Sequence, residues 1–270
     1  MFKKLTLFLL IVTALFLVSC TPKNVNILTP EGYEEFSVTK VVDGDTIKVL
    51  EGSNEVSVRF IGVDTPETHD GTKPIGEYGY DAYLFSRIKI NGESSRMVYM
   101  EFDENRYDYY DRLLGYIYYK DKEDNYHFLN EELLKEGLGR PLFYDDSSKK
   151  VDVLREAYIF AFENRNGIFE KYDDPSIIID SKNLDKKKDL GKNRFVKFFV
   201  DKVYKDGSFY KIRSKDGFYV SIREQEFLNF YKQYDIYSLE GKEIMYFGEV
   251  WHDGNNFEIL GRASFEIKIL

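Results

Sequence analysis

Three of the acidic side chains and the single arginine in a short stretch of the chain, from Val41 to Glu67, could do chemistry together. The acids are Asp45, Asp64 and Glu67, the base is Arg59, and all four lie beside segments typical of β-strands. Carboxylates that converge can bind a hard cation, and a guanidinium group can face an anion. The stretch therefore predicts a site that combines these two kinds of binding.

The first acidic segment, Asp43-Gly44-Asp45-Thr46, also fits an ordinary turn between two strands, in which Asp accepts backbone hydrogen bonds. The second segment, Asp64-Thr65-Pro66-Glu67, ends a strand at a suitable interval. Two acidic strand ends side by side repel each other unless a cation or a proton lies between them. Calcium suits such oxygen ligands, and the residue types alone leave magnesium open.

Strands and short helices must position these residues. In the segment Val56 to Phe60 the apolar residues alternate with Arg59, which predicts a strand with Arg59 on the face opposite Val58. Five strands and three helices are predicted between residues 36 and 170. The helices are expected from Tyr78 to Ile88, from Asn130 as a capping residue to Glu136, and from Ser147 or Ser148 to Gly167.

A second strand-rich region occupies residues 194–270, after a charged segment, 171–193, that predicts a linker. Its order of three strands, a helix and two strands is that of an oligonucleotide/oligosaccharide-binding (OB) barrel. The predicted fold class is thus β-rich α+β, with a five-stranded OB-type barrel and three helices followed by a second, small OB-like barrel. Aromatic residues of this barrel could stack on single-stranded bases or could simply form core and surface: Phe209, Tyr210, Phe218, Tyr219 and Trp251.

No catalytic or binding role is predicted for the first 35 residues, which precede the folded part. Residues 1–19 have the charged start and apolar run of an export signal, and Leu17-Val18-Ser19-Cys20 resembles a bacterial lipobox. We expect cleavage before Cys20, lipidation of its thiol, and a tether over residues 20–35. A transmembrane anchor is the alternative, and in either case the folded part lies outside the cytoplasm on a bacterial membrane.

Composition excludes several classes of protein. The chain has 270 residues and a net charge of −9, which argues against a surface that binds nucleic acid everywhere but allows a local cationic cleft. Three histidines and one cysteine cannot build a zinc finger, a cysteine cluster or an internal disulfide framework. No protein partner is evident from the sequence.

Three blocks in the same order resemble the signature blocks of the staphylococcal nuclease (thermonuclease) family: VVDGDTI, VRFIGVDTPE and DYYDRLLGYIY. The resemblance covers residues 36–170. It implies a five-stranded barrel with three helices and calcium-dependent hydrolysis of phosphodiester bonds in DNA and RNA. On this basis the sequence predicts a membrane-anchored nuclease, and the alternative is a catalytically silent binding lipoprotein with the same folds.

The resemblance also implies roles for individual residues. Asp45 and Asp64 would bind calcium through their carboxylates and Thr65 through its backbone carbonyl. Glu67 would hold a water molecule as the general base. Arg59 and Arg112 would grip the scissile phosphate, although either could instead form a structural ion pair with a nearby acid.

Tyr110 aligns with a family residue that contacts a nucleotide phosphate, so we predict that it binds substrate, with packing in the core or at the rim as the alternative. The chain departs from the family pattern at two places. Asp111 replaces the usual glycine before the arginine, and the tyrosine expected after the second helix falls on Phe143, with Tyr144 next to it. These departures bear on nucleotide binding more than on the metal site.

Overall fold

The fold is described from a computed structural model, which covers residues 32–69, 74–93, 96–144 and 149–270. The expected signal peptide, Cys20 and most of the expected tether lie outside these residues. Within the described part of the chain, no helix is long and apolar enough to cross a bilayer.

The first barrel closes through one parallel pair of strands. Antiparallel pairing joins β1 to β2, β2 to β3, β1 to β4 and β4 to β5, and parallel pairing of β3 with β5 completes the ring. Alternation along β1 buries Phe36 and Val38 inside the ring. This barrel confirms the predicted five-stranded architecture, with one short extra strand, β6, on β5. The strands are β1 (Glu34–Val41), β2 (Thr46–Glu51), β3 (Asn54–Phe60), β4 (Met97–Glu101), β5 (Leu113–Lys120) and β6 (Tyr126–Phe128).

Three helices pack on this barrel: α1 (Gly79–Ile88), α2 (Leu129–Lys135) and α3 (Val151–Asn164). The prediction that Asn130 caps α2 is wrong. Its buried side chain accepts a hydrogen bond from Ile117 N (2.8 Å) and donates one to Ile61 O (2.8 Å). Asn130 therefore ties α2 to the barrel, because its amide satisfies one backbone group of β5 and one of the residue that follows β3.

The second barrel repeats the connections of the first. Its first strand is divided by a bend into two segments, β8 and β9, which pair with β12 and β10 respectively. Antiparallel pairing of β10 with β11 and β12 with β13, and parallel pairing of β11 with β13, close the ring. This order confirms a second OB-like domain. The elements are β7 (Ile178–Asp180), β8 (Asn193–Phe199), β9 (Lys202–Asp206), β10 (Phe209–Arg213), β11 (Tyr219–Arg223), α4 (Glu224–Phe230), β12 (Glu243–Asp253), β13 (Asn256–Gly261) and β14 (Ile267–Ile269).

Residues 171–193, expected to form a linker, contain ordered structure. β7 pairs in parallel with β8, and Ile177 is buried. The Ser181 hydroxyl donates to Asp216 Oδ2 of the second barrel (2.5 Å). Most charged residues of this segment are exposed, although Asp189 is buried, and the buried Ile177 and the pairing of β7 attach the segment to the second sheet. The exact limits of the two domains stay a prediction.

The two barrels share one hydrophobic core at their junction. Phe247 of β12 packs against Phe169 (ring centroids 5.6 Å apart) and Tyr172 (5.2 Å) of the first domain. Phe265 stacks on Phe162 of α3 at 4.1 Å. Aromatic rings bury large apolar areas, so this contact contributes strongly to the stability of both barrels.

We therefore predict that Phe247→Ala destabilises both barrels together. Removing a buried phenyl ring costs about 3 kcal/mol or more of unfolding free energy. Urea unfolding should stay a single transition, shifted to lower urea, when followed by far-UV circular dichroism and by the fluorescence of the single tryptophan, Trp251. Phe199→Ala, at an exposed position of β8, serves as control. Separate transitions for the two probes would contradict a shared core.

Candidate active site

The turn between β1 and β2 is held against α1 by a glycine. A Cβ atom at Gly44 would lie 2.7 Å from Cβ of Ala82 and 2.8 Å from Cγ2 of Thr65. The Gly44 carbonyl also accepts a hydrogen bond from Ser86 Oγ of α1 (2.6 Å). Only glycine allows this approach, which fixes Asp45 beside Thr65.

Asp45 and Asp64 both contact one guanidinium group. Arg59 of β3 forms ion pairs with Asp45 Oδ2 and, at 2.9 Å, with Asp64 Oδ1. Asp45 also accepts a hydrogen bond from the backbone N of Thr65 (2.6 Å). The two carboxylates therefore converge on a single positive charge, as the sequence predicts for these strand ends.

Asp64 has a second arginine partner, from the other barrel. Nη2 of Arg262 lies 2.9 Å from Asp64 Oδ2, and Nη1 lies 3.7 Å from Oε1 of the buried Glu226. Arg262 is only 2 % exposed. The barrels are thus joined by an ion-pair chain that runs from Asp45 through Arg59, Asp64 and Arg262 to Glu226 in alternating sign.

Arg112 lies just before β5, beside Arg59, because β3 and β5 are parallel neighbours. Its guanidinium forms an ion pair with Asp108 (Nη2 to Oδ2, 2.7 Å). Tyr110 is 76 % exposed, and its ring centroid lies 5.6 Å from Cζ of Arg112. The exposed Asp111 has φ = 57°, a conformation that favours the glycine found there in the family pattern.

The pKa shifts of three groups in the site follow from burial and from these contacts. Burial and the adjacent charge of Asp45 raise the pKa of Asp43 to about 7. Burial opposes the charged form of Arg59, but the carboxylates of Asp45 and Asp64 outweigh it and raise the pKa of that group. Burial likewise works to raise the pKa of Asp108, yet hydrogen bonds from Arg112 bring it below the ordinary value.

A cleft of about 320 Å³ collects the residues predicted for catalysis and metal binding. Its lining includes Asp45, Arg59, Asp64, Thr65, Glu67 and Arg112. Tyr110 lines an adjoining cavity of about 650 Å³ that also has Arg59 and Arg112 in its wall. The structure therefore brings the six residues together and sets Tyr110 at their margin.

The tyrosine that the family pattern places after α2 corresponds to two neighbouring residues here, Phe143 and Tyr144. Phe143 is buried, and its backbone N donates to Glu226 Oε1 (2.9 Å). Tyr144 is exposed and lines both cavities. Of these two neighbours, Tyr144 is the one whose ring can meet a ligand.

The donor set fits a hard divalent cation. Two carboxylates, Asp45 and Asp64, converge on one positive charge, and every candidate donor is an oxygen atom. Among the described residues, no three His, Cys, Asp or Glu side chains form a metal cluster by themselves. A cation held there would therefore need the Thr65 carbonyl, or water bound to Glu67, as further ligands.

The sequence reasoning missed two arginines that line the cleft, Arg223 and Arg262. Arg262 lies in the segment Ile259 to Phe265, where every other residue is apolar, small or glycine. A lone arginine in such surroundings indicates a buried ion pair. Of the aromatic residues expected to stack on bases, Phe218 and Tyr219 are buried, whereas Trp251 lines the cleft.

The molecule thus consists of OB-type barrels with a cleft of carboxylates and arginines at their junction. A model of the family described as staphylococcal nuclease homologue matches residues 57–171. The chain is 33 % identical to the thermonuclease of Staphylococcus hyicus over 162 residues, which are 57 % of this chain and 91 % of that protein.

Two further relatives show the same match. Identity to the thermonuclease of Staphylococcus intermedius is 33 % over 138 residues, 51 % of this chain and 77 % of the relative. Identity to the endonuclease YncB of Bacillus subtilis is 37 % over 121 residues, which are 44 % of this chain and 54 % of that protein. The chain belongs to the staphylococcal nuclease family.

We predict that Arg262→Met lowers the free energy of unfolding by about 3 kcal/mol, because the buried Glu226 loses its charged partner and Asp64 loses one of two. Urea titration followed by circular dichroism measures the change. Arg213→Met removes a charge from an exposed position of the same barrel and should alter stability by less than about 0.5 kcal/mol. Equal stability of the two variants would show that the interbarrel ion pair contributes nothing.

Proposed function

We propose that the protein is a calcium-dependent nuclease that hydrolyses phosphodiester bonds in DNA and RNA. The observation that carries the proposal is that two acids, Asp45 and Asp64, and two arginines, Arg59 and Arg112, line one cleft together with Glu67. The relatives named thermonuclease and endonuclease support hydrolysis of nucleic acid.

Asp45, Asp64 and the Thr65 carbonyl would hold calcium, which when bound lowers the pKa of a water molecule and offsets negative charge on phosphate. Glu67 accepts the proton of the attacking water. The water oxygen forms a new bond to phosphorus, the bond from phosphorus to the leaving oxygen breaks, and the leaving oxygen takes a proton from solvent. Glu67 lines the same cleft as both carboxylates, which suits the role of general base.

Arg59 and Arg112 hold the phosphate oxygens on which negative charge develops. Arg59 pairs with the carboxylates of Asp45 and Asp64. Arg112 pairs with the carboxylate of Asp108. These partners fix the guanidinium groups in the cleft before substrate arrives, and such preorganised charge stabilises a transition state best. The planar fork of arginine suits two phosphate oxygens better than lysine does.

We also propose that Cys20 carries a lipid and that the barrels act outside the cytoplasm on a bacterial membrane. The lipobox-like segment Leu17-Val18-Ser19-Cys20 supports this location. A mass measurement of the amino terminus of the membrane-bound protein tests it. An unmodified Cys20 in the membrane fraction would favour a transmembrane anchor instead.

Purified protein should cut single-stranded DNA and RNA with calcium and not with chelator. Glu67→Gln and Arg59→Ala should each reduce kcat by about 100-fold or more, because each removes a group that acts in the transition state. Glu35→Gln, at an exposed position of β1, is the control and should cut normally. Magnesium in place of calcium tests the choice of metal. A protein that binds nucleic acid but never cuts it would be the silent binding protein instead.

Asp111 places a negative charge beside Arg112, so we predict that Asp111→Asn lowers KM for DNA by about 3-fold at low salt and less at high salt. Asn also tolerates the left-handed conformation, and the change therefore isolates the charge. Asp111→Gly should lower KM similarly. An unchanged KM in both variants would mean that substrate does not approach this turn.

A further inference from the structure

The second barrel forms one wall of the active-site cleft. Arg223, Trp251, Leu260 and Arg262 line the same cavity as Asp45 and Arg59. Buried contacts fix this wall in place, since Glu226 accepts from the Phe143 backbone and Arg262 pairs with Asp64. The active site therefore includes side chains that lie outside the family domain at residues 57–171.

Arg223 differs from the other arginines of this cleft. Its Cζ lies 5.5 Å from the ring centroid of Tyr144, of the first barrel, and 5.1 Å from that of Phe209, of the second. Its Nε is buried and has no hydrogen-bond partner among the residues that the structure describes. Arg223 forms no ion pair with any residue that the structure describes, whereas Arg59 and Arg112 each pair with carboxylates.

A stacked guanidinium with an unsatisfied donor suits an anionic ligand. The two rings restrict the orientation of Arg223, so little side-chain freedom is lost when an anion binds. Arg223 is half-buried and lines the cleft, so its guanidinium can offer charge-assisted hydrogen bonds to a phosphate oxygen there. Carboxylates of the cleft repel the same phosphate, and a cationic side chain in the wall offsets that repulsion.

The cleft also continues past Arg223. Arg223 and Tyr144 line a further cavity of about 430 Å³, together with Ser208 and Gln225. Arg59 and Arg112 line this cleft and also the adjoining cavity of Tyr110. A strand that passes through the cleft with one phosphate at Arg59 and Arg112 would thus bring another phosphate to Arg223.

We propose that Arg223 of the second barrel binds the phosphate next to the scissile one. This inference rests on the proposed function, because it takes the cleft to hold nucleic acid. The second barrel would then contribute directly to substrate binding, since Arg223 lines the same cleft as Arg59 and Arg112. Trp251, on β12 in the same wall, offers a ring to the base of that nucleotide.

The test measures binding of a fluorescent single-stranded oligonucleotide to the full chain in chelator, where no cleavage occurs. Arg223→Gln should weaken binding about 10-fold and reduce the slope of log K against log salt by about 0.7, the change expected for one lost phosphate contact on a single strand. Arg213→Gln is the matched control, because this exposed arginine lies on the same barrel outside the cleft lining. It should bind as the parent does.

A second measurement uses the parent protein, in case Arg223→Gln does not fold. Trinucleotides are compared in which one or the other phosphate is replaced by a neutral methylphosphonate. Each replacement should weaken binding about 10-fold, because two phosphates are held. The inference is overturned if only one linkage matters, or if Arg223→Gln and Arg213→Gln bind equally with equal salt slopes. A protein that binds in this way but never cuts defeats the proposed function alone.

Discussion

The carboxylate of Asp64 accepts hydrogen bonds from the guanidinium groups of both barrels, and the cleft depends on this contact. Arg59 holds one oxygen and Arg262 the other, each at 2.9 Å. A buried carboxylate is stable only when it is paired and hydrogen-bonded, so the position of Asp64 fixes both arginines and the arginines fix Asp64. A cation shared by Asp45 and Asp64 would compete with Arg59 for the same oxygens, while Arg262 would keep its own.

The repeated OB topology explains how two barrels can supply one site. In each barrel the third strand ends at the cleft and carries an arginine near its end, Arg59 in β3 and Arg223 in β11. In the first barrel, β3 pairs in parallel with β5, which begins just after Arg112. In the second barrel, β11 pairs in parallel with β13, which ends just before Arg262. The shared core around Phe247 fixes these strand ends relative to each other. The two barrels therefore form one cleft without movement of a linker between them.

The sequence predicts what depends on neighbouring residues and misses what depends on distant ones. Alternation around Arg59 predicts a strand, the three blocks that resemble the nuclease family predict the barrel, and the two acidic segments predict the convergence of Asp45 and Asp64. The pair of Asp64 and Arg262 joins residues 198 positions apart, and no local pattern encodes such a contact. Asn130 was misinterpreted for a related reason, because a residue typical of helix caps met buried backbone groups of another strand instead.

Arg223 forms no ion pair within the described part of the chain, in contrast to the paired arginines around it. Where the protein needs an arginine for structure, as at Arg262, it places carboxylates against the guanidinium, and the charge is neutralised in the folded state. At Arg223 it places aromatic rings there, from Tyr144 and Phe209, which orient the guanidinium without cancelling its charge. Tyr144 belongs to one barrel and Phe209 to the other, so this orientation exists only when the barrels are docked. If Arg223 binds substrate as proposed, docking and substrate binding are coupled through one side chain, which is a physical reason for a nuclease-family barrel to carry a second barrel.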